Sequence, residues 1–506
     1  MVWDSLLLGL GNTLSPAVLL AICAGTLIGL VVGAMPGLSA TMAIALLVPL
    51  TYAFSPDSGI SMLAAIYLSA MYGGSISAIL IKTPGTAAAA ATVLDGYPMA
   101  LRGEAGRALS ISLTASFIGG LLSSIVLLTV APILGRLALE FGPVELSAVC
   151  VLGMTIIASL SQESTIKGLL AGSLGVLLSS VGMDPVSGTP RFTMGILDLY
   201  SGIPFTVALI GLFSLPQVLR MIESDNTQGM QSNEIRGAVR VNWKEMKPLM
   251  PTVYRSSAIG ILTGLIPGTG GDTACWFAYN EAKRFAPKSE LKAFGTGSPY
   301  GIAAPESANN AVAGGALIPT LSLGIPGSSS TAVILGGLMA HGILPGPTLM
   351  VEHAKVAYTL IWALFLTNFV MLGFGIVFTS LCVHVTRISN KVLAIAVVIF
   401  CVIGSFAINN SFFDVYLMLG FGILGYCMDK LGVPVAPLVV GLILGNMLDT
   451  SLHQSLLMSH GSWWIFLQEP ISCVFLLIAF LSLLSGTPLM AYIKGKIKGA
   501  FSFLAI

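Results

Sequence analysis

The sequence GLVVGAMPG at residues 29–37 recurs as GILTGLIPG at residues 260–268. Four glycine and proline positions coincide in the two copies at a constant offset of 231 residues. A Pro-Gly pair breaks a helix, because proline lacks a backbone N–H donor and glycine permits positive φ. The recurrence therefore suggests that the chain contains two related halves, each with a helix break at the same place.

A second pair of matching segments supports this interpretation. TPGTA at residues 83–87 resembles IPGSS at residues 325–329, at an offset of 242 residues. The order of the two motifs, first Pro-Gly and then Pro-Gly followed by threonine or serine, is the same in both halves. Two matches in one order are much less expected by chance than one, so we interpret them as an internal duplication.

The composition places these motifs in a membrane protein. The 506 residues have a mean hydropathy of +0.92, only 9% are charged, and the net charge is +1. Such a chain cannot cover a water-facing surface, which excludes a soluble enzyme, a disordered chain and a nucleic-acid binder. We predict an all-α polytopic membrane protein with about 12 or more membrane segments, some of them Pro-Gly-broken helices and hairpins.

We divide the chain into a first transmembrane repeat (1–222), a cytoplasmic linker (223–250), and a second transmembrane repeat with an extra C-terminal helix (251–506). Basic residues cluster in the linker, as the positive-inside rule expects of a cytoplasmic segment. Candidate membrane spans lie near 107–132, 143–161, 165–182, 203–220, 356–382, 391–408, 412–428, 433–450 and 468–492.

The charges around the first Pro-Gly motif of each half predict inverted repeats. The segment near 17–54 is flanked by no Lys or Arg, whereas the segment near 251–285 carries Arg255, Lys283 and Arg284 at its ends. If each segment is a hairpin, the first opens outward and the second inward, as in many secondary transporters. The alternative is that both are ordinary paired spans with glycine-rich packing faces.

The second Pro-Gly motif of each half is our candidate substrate site. A helix break at membrane depth frees N–H groups, and the N-terminal end of a half-helix carries a partial positive charge. Together with threonine or serine hydroxyls, these groups suit a carboxylate; the alternative is a simple kink or an extramembrane turn. The candidate residues are Lys82, Thr83, Pro84, Gly85, Thr86, Pro326, Gly327, Ser328, Ser329 and Ser330.

A second set of residues could hold a coupling cation or merely form hairpin tips. Asp272 is either a cation ligand or a helix N-cap, and the Asn pair at 309–310 offers carbonyl oxygens suited to a hard cation or to interhelical hydrogen bonds. The set is Pro36, Gly37, Ser39, Thr41, Pro267, Gly268, Thr269, Gly270, Asp272, Glu306, Asn309 and Asn310.

Other chemistry receives no support from the sequence. The cysteines and histidines show no metal spacing, there is no phosphate-binding GxxxxGK[ST] motif, and no catalytic pair is recognisable. We therefore expect no catalytic residues, no metal and no bound cofactor. The energy for transport would come from a Na⁺ or H⁺ gradient, and a passive organic-anion channel is the alternative.

At these motifs the chain resembles the large membrane subunit of the tripartite tricarboxylate transporter family. The resembling stretches are GAMPGLSATM (33–42), YGGSISAIL (72–80), PGT (84–86) followed by DGYPMA (95–100), and AAPESANN (303–310) followed by GIPGS (324–328).

The resemblance implies a multi-pass permease of the bacterial inner membrane that imports a tricarboxylate, dicarboxylate or related organic acid by cation symport. It also implies two partners, a small four-helix membrane subunit and a periplasmic solute-binding protein. Lys82 stands where the family commonly has Asn, which we interpret as a preference for an additional negative charge on the substrate.

Overall fold

A computed structural model of the chain describes residues 2–35, 37–159, 164–184, 187–223, 239–385 and 390–485. Most of these residues form α-helices, with short 3-10 turns at 87–89, 197–199 and 291–293. The helices are α1 (Val2–Thr13), α2 (Pro16–Ala34), α3 (Ala40–Thr51), α4 (Pro56–Ile81), α5 (Ala90–Leu101), α6 (Ala105–Ala138), α7 (Pro143–Ser159), α8 (Thr165–Ser179), α9 (Phe205–Glu223), α10 (Trp243–Leu265), α11 (Gly270–Phe285), α12 (Pro299–Leu323), α13 (Ser329–Ala340), α14 (Leu349–Glu352), α15 (Ala354–Val385), α16 (Asn390–Asn409), α17 (Phe412–Lys430), α18 (Val435–Met458), α19 (Ile465–Gln468) and α20 (Pro470–Ser485).

Eight of the described helices are long and apolar enough to cross a membrane, namely α2, α4, α6, α9 and α15 to α18. The chain is therefore a largely helical polytopic membrane protein, and the larger number of membrane segments stays a prediction. The structure adds one feature that the all-α expectation lacked. The strands β1 (Gly182–Met183) and β2 (Pro190–Arg191) pair antiparallel in the loop between α8 and α9.

The helices form two compact units. The first comprises residues 1–138 and 206–426, and the second comprises residues 139–205 and 427–506. Each unit draws on both predicted repeats. Most of the predicted linker (224–238), Pro36, and the residues after 485 lie outside the described part, and α10 begins at Trp243, inside the linker range.

Two helices, α4 and α12, form the core of the first unit. Both begin with proline at the first or second helical position, where its missing N–H costs nothing. Both are buried along almost their whole length. Both end in a left-handed residue, Lys82 with φ 60° and Gly324 with φ 74°. These two helix ends lie directly before the second Pro-Gly motif of each half.

In the first half, α2 packs on α4 through glycines. A Cβ on Gly29 would lie 2.7 Å from the carbonyl oxygen of Ile66, and a Cβ on Gly33 would collide with that of Ala70. Glycines spaced by four residues lie on one helix face, so the two backbones can approach closely along that face.

In the second half, α10 packs on α12 in the same way. A Cβ on Gly260 would collide with the carbonyl oxygen of Ala308, and one on Gly264 would lie 2.8 Å from that of Val312. Gly29 and Gly33 correspond to Gly260 and Gly264 at the offset of 231 residues. The residues that they contact on α4, Ile66 and Ala70, correspond to Ala308 and Val312 on α12 at the offset of 242 residues.

The change of offset between the motifs has a simple structural origin. The connection from α3 to α4 covers residues 52–55, whereas the connection from α11 to α12 covers residues 286–298. The additional residues of the second half therefore lie mainly in this loop. The polar cluster at 303–310 lies within α12 and is not part of the insertion.

The second unit is held together by α18. A Cβ on Gly175 of α8 would collide with the carbonyl oxygen of Leu438, so α8 and α18 touch through their backbones. Arg191 of β2 forms a 2.5 Å ion pair with Asp449 of α18. This ion pair fixes the β1–β2 strand pair to α18.

We expect Gly33→Ala to lower the stability of the protein, because the added methyl group meets the rigid backbone of α4. Overpacking of this kind typically costs about 1–3 kcal/mol. The measurement is the thermal unfolding midpoint of the purified protein in detergent. Gly373→Ala is the matched control, since nothing lies within 4 Å of its added Cβ. Equal midpoints for the two variants would contradict the close packing of α2 on α4.

Candidate functional site

The first Pro-Gly break lies between α4 and α5. The N–H of Gly85 donates to the carbonyl oxygen of Gly74 at 3.1 Å. A Cβ on Gly85 would collide with the carbonyl oxygen of Gly33 and would lie 2.9 Å from Ser77 Oγ. Only glycine fits at this position, because the break is wedged between α2 and α4.

The second Pro-Gly break, between α12 and α13, has a related arrangement. The N–H of Gly327 donates to Thr320 Oγ1 at 3.2 Å. Its carbonyl oxygen accepts from Gly268 N at 3.0 Å. A Cβ on Gly327 would lie 2.7 Å from the carbonyl oxygen of Gly264. In each half, the glycine of the break therefore packs against the corresponding helix, α2 in the first half and α10 in the second.

The N–H groups of both break glycines are engaged inside the protein, so they are not the free donors that the sequence suggested. The start of α13 offers other donors. Ser328 caps this helix: its Oγ accepts from Thr331 N at 3.2 Å, and its own N–H donates to Thr331 Oγ1 at 2.9 Å. The next two N–H groups, of Ser329 and Ser330, have no acceptor within the helix.

Side chains of the first half reach this second break. Thr41 Oγ1 of α3 lies 2.9 Å from Ser330 Oγ, and Tyr67 OH of α4 lies 3.2 Å from Ser328 Oγ. We call Thr41, Tyr67, Ser328 and Ser330 the hydroxyl cluster. Its members are neutral, and each can donate to an anion at the N-terminal end of α13.

The contact is reciprocal, because α11 of the second half lies against the residues that follow the first break. A Cβ on Gly271 would lie 3.1 Å from Ala88 Cβ and 2.7 Å from Asn309 Oδ1. The amide nitrogen of Asn309 donates to the carbonyl oxygen of Met71 in α4 at 3.4 Å. The second hairpin, α10–α11, therefore meets the first break much as the first hairpin, α2–α3, meets the second.

The remaining hairpin residues have contacts of their own. Ser39 caps α3 by accepting from Met42 N at 3.1 Å. The hydroxyl of Thr269 donates to carbonyl oxygens at the end of α10, including that of Ile266 at 2.9 Å. A Cβ on Gly37 would lie 3.3 Å from Gln217 Nε2. Pro267 is buried, and Gly270 has φ 60° with open space around its Cβ position.

Lys82 lies at the rim of the first break. Its backbone is left-handed, its side chain is exposed, and its Nζ lies 5.8 Å from the centre of the Tyr97 ring. Thr83 and Pro84, which follow it, are half-buried. A role for Lys82 in substrate binding stays a prediction.

Glu306 occupies the centre of the first unit. Its carboxylate is fully buried in α12. Four hydroxyl groups donate to it, from Ser75, Thr92, Ser112 and Ser116 of α4, α5 and α6. Within the described residues no Lys, Arg or His pairs with it. All four donors come from the first half, so Glu306 connects α12 to the helices of the other repeat.

Asn309 and Asn310 face different neighbours. Ser307 and Gly314 pack against Gly119 and Ser123 of α6. Asn310 lies between them on the same helical face, so it is directed toward α6. Both polar atoms of its side chain are buried without a hydrogen-bond partner among the described residues. The sequence analysis considered the two asparagines as one pair, whereas in the structure their side chains have different neighbours.

Asp95 is a polar anchor to which the sequence analysis assigned no role. This fully buried residue of α5 accepts from the N–H groups of Gly295, Gly297 and Ser298 at 2.8–2.9 Å. It also accepts from Tyr279 OH at 2.8 Å. Asp95 thereby fixes the loop before α12, which is the loop that carries the additional residues of the second half.

Tyr67 is also absent from our predicted set, although the sequence contains a signal for it. It corresponds to Asn309 at the same offset that relates the two breaks. The hydroxyl donors to Glu306 carry no such signal, because serine and threonine are common in membrane helices. Among the described residues, no three His, Cys, Asp or Glu side chains lie together as a metal centre requires.

The sequence of the chain is similar to those of known proteins. The sequence model of the family described as "Tripartite tricarboxylate transporter TctA family" matches residues 19–440. An uncharacterized 52.8 kDa protein from the TAR-I ttuC′ 3′ region of Agrobacterium vitis is 34% identical over 475 residues, which cover 94% of each chain. An uncharacterized protein from the TAR-II ttuC′ 3′ region of the same organism is 36% identical over 213 residues, covering 42% of this chain and 87% of its own length. No solved structure matches the chain.

We expect Glu306→Ala to destabilise the protein by about 3 kcal/mol or more, because it leaves four buried hydroxyl groups without their acceptor. Glu306→Gln keeps the shape and one acceptor oxygen, so its loss should be clearly smaller. The unfolding midpoint in detergent measures both effects, with Glu140→Ala at an exposed position as the control. A Glu306→Ala protein as stable as the control would show that the carboxylate does not connect the helices.

Proposed function

Because the chain belongs to the tripartite tricarboxylate transporter TctA family, we propose that it is the large permease subunit of a binding-protein-dependent secondary transporter for carboxylates. It would act in the bacterial inner membrane with a small four-helix membrane subunit and a periplasmic solute-binding protein. The substrate would be a tricarboxylate, a dicarboxylate or a related organic acid, imported together with Na⁺ or H⁺.

The observation that carries the proposal is the hydroxyl cluster at the start of α13. Its two pairs, Thr41 with Ser330 and Tyr67 with Ser328, bring hydroxyl groups from both halves to one helix N-terminus. A carboxylate would receive hydrogen bonds from hydroxyl and N–H groups there without meeting a buried positive charge. Binding without a full ion pair suits a substrate that must also be released.

We further propose that the two halves are inverted repeats. The reciprocal placement supports this: each hairpin lies against the Pro-Gly break of the other half. Equivalent contacts exchanged between two halves are expected when a pseudo-two-fold axis relates them. A secondary transporter with such repeats would bind substrate at the interface of the repeats and alternate its access between the two sides.

The energy for uptake sets a requirement on the coupled cations. At a membrane potential of about −100 mV, moving one negative charge inward costs about 2.3 kcal/mol, so a dianion requires about 4.6 kcal/mol. Two monovalent cations only cancel that electrical cost. Net drive from the potential therefore requires a third cation for each dianion.

We expect cells that carry this subunit with its two partners to accumulate a labelled carboxylate only while a cation gradient is present. The measurement is uptake of a carboxylate panel with the Na⁺ and H⁺ gradients removed one at a time. Omission of the binding protein is the control and should abolish uptake. Uptake that ignores both gradients and the binding protein would instead identify a passive organic-anion channel.

We expect Ser330→Ala to raise the KM for uptake by about tenfold, because a hydrogen bond to a charged group contributes about 1.5–3 kcal/mol. Ser201→Ala, at an exposed position outside the cluster, is the matched control. Expression of both variants is quantified in the same membranes. An unchanged KM for Ser330→Ala would remove this residue from the substrate site.

A further inference from the structure

Each residue of the hydroxyl cluster has a counterpart at the corresponding position of the other half of the chain. Thr41 corresponds to Asp272 at the offset of 231 residues. Tyr67, Ser328 and Ser330 correspond to Asn309, Thr86 and Ala88 at the offset of 242 residues. The reciprocal contacts between hairpins and breaks bring the counterpart residues into one neighbourhood, around the start of α11.

The two clusters differ in how their polar atoms are satisfied. In the hydroxyl cluster, the four side chains hydrogen-bond one another in two pairs. In the counterpart, Thr86 Oγ1 and Asn309 Oδ1 are both buried without any hydrogen-bond partner among the described residues. Thr86 is 6% exposed and Asn309 is 0% exposed. Buried oxygens without partners are costly, and a ligand that both oxygens could bind would remove that cost.

The surrounding contacts place both side chains beside the same turn of α4, residues 71–74. The amide nitrogen of Asn309 donates to Met71 O, which turns its oxygen toward Gly271 and Ala88. Thr86 packs against Gly74, one helical turn after Met71 on the same helix. Ala88, two residues after Thr86, lies within about 6 Å of Asn309 Oδ1, because both approach the same point beside Gly271.

Asp272 adds a negative charge to this neighbourhood. It follows Gly271 directly in the first turn of α11 and is exposed. Among the described residues, no hydrogen bond or ion pair engages its carboxylate. The counterpart cluster thus offers acceptor oxygens and one carboxylate, whereas the hydroxyl cluster offers neutral donors.

We propose that Thr86 Oγ1, Asn309 Oδ1 and the carboxylate of Asp272 form a binding site for a hard monovalent cation, Na⁺. Hydroxyl, amide and carboxylate oxygens are the ligands that hard cations prefer, and one carboxylate balances one positive charge. The inference rests on the proposed function, to which it assigns the coupling ion and the residues that hold it. Substrate and cation then occupy corresponding places in the two repeats.

The test measures Na⁺ binding in the absence of substrate. The full-length chain is purified in detergent, and its unfolding midpoint is followed as NaCl replaces choline chloride at constant ionic strength. A ligand that binds only the folded protein raises the midpoint with its concentration. We expect Na⁺ to stabilise the wild-type protein, and Thr86→Val and Asp272→Asn each to shift the half-maximal Na⁺ concentration at least tenfold upward.

The variants are chosen to keep the fold. Thr86→Val preserves the shape and removes a hydroxyl that makes no described hydrogen bond, so its midpoint in choline chloride should equal or exceed that of the wild type. Ser256→Ala removes another buried hydroxyl without a described partner, in α10, and should keep the wild-type Na⁺ response.

A wild-type midpoint that does not depend on Na⁺ would overturn the inference, as would Na⁺ responses that are the same in wild type and both cluster variants. Carboxylate uptake that follows the H⁺ gradient alone would also overturn it, while leaving the proposed function intact. Conversely, Na⁺ stabilisation without uptake of any carboxylate would contradict the proposed function and leave the cation site standing.

Discussion

The backbone of a broken helix in a membrane must find hydrogen-bond partners within the protein, and this constraint organises the first unit. Gly85 N donates to Gly74 O, Gly327 N to Thr320 Oγ1, and Gly268 N to Gly327 O. These bonds require the breaks to lie against neighbouring backbone, which leaves no space for a Cβ at either break glycine. The glycine faces of α2 and α10, and the buried core helices α4 and α12, provide the surfaces for this contact.

The same constraint applies to charged side chains, and it connects the two halves. Glu306 of α12 is satisfied by hydroxyl groups of α4, α5 and α6, and Asp95 of α5 is satisfied by the loop before α12. A movement that separated α12 from these helices would leave buried groups unpaired, at about 1–3 kcal/mol for each. A transport movement that keeps these helices together avoids that cost.

The halves have the same plan but different chemistry. Where the first hairpin meets the second break, hydroxyl groups satisfy one another and can turn to an anion. Where the second hairpin meets the first break, the corresponding positions hold a carboxylate and two buried oxygens without described partners. The corresponding positions thus carry different side chains, such as Tyr67 against Asn309 and Thr41 against Asp272, while the contacts between hairpins and breaks correspond.

The sequence by itself determined the class of protein, because composition and apolar segment length follow directly from solubility in a bilayer. It also determined the positions of the hairpins and breaks, since Pro and Gly act on the local backbone. The tertiary structure alone decided which polar residues act together. Tyr67, Asp95 and the hydroxyl donors to Glu306 are brought to their partners by helices distant in sequence, and Asn309 and Asn310 are directed to different neighbours by their angular positions on one helix. Such contacts depend on how helices face one another, which local sequence patterns do not encode.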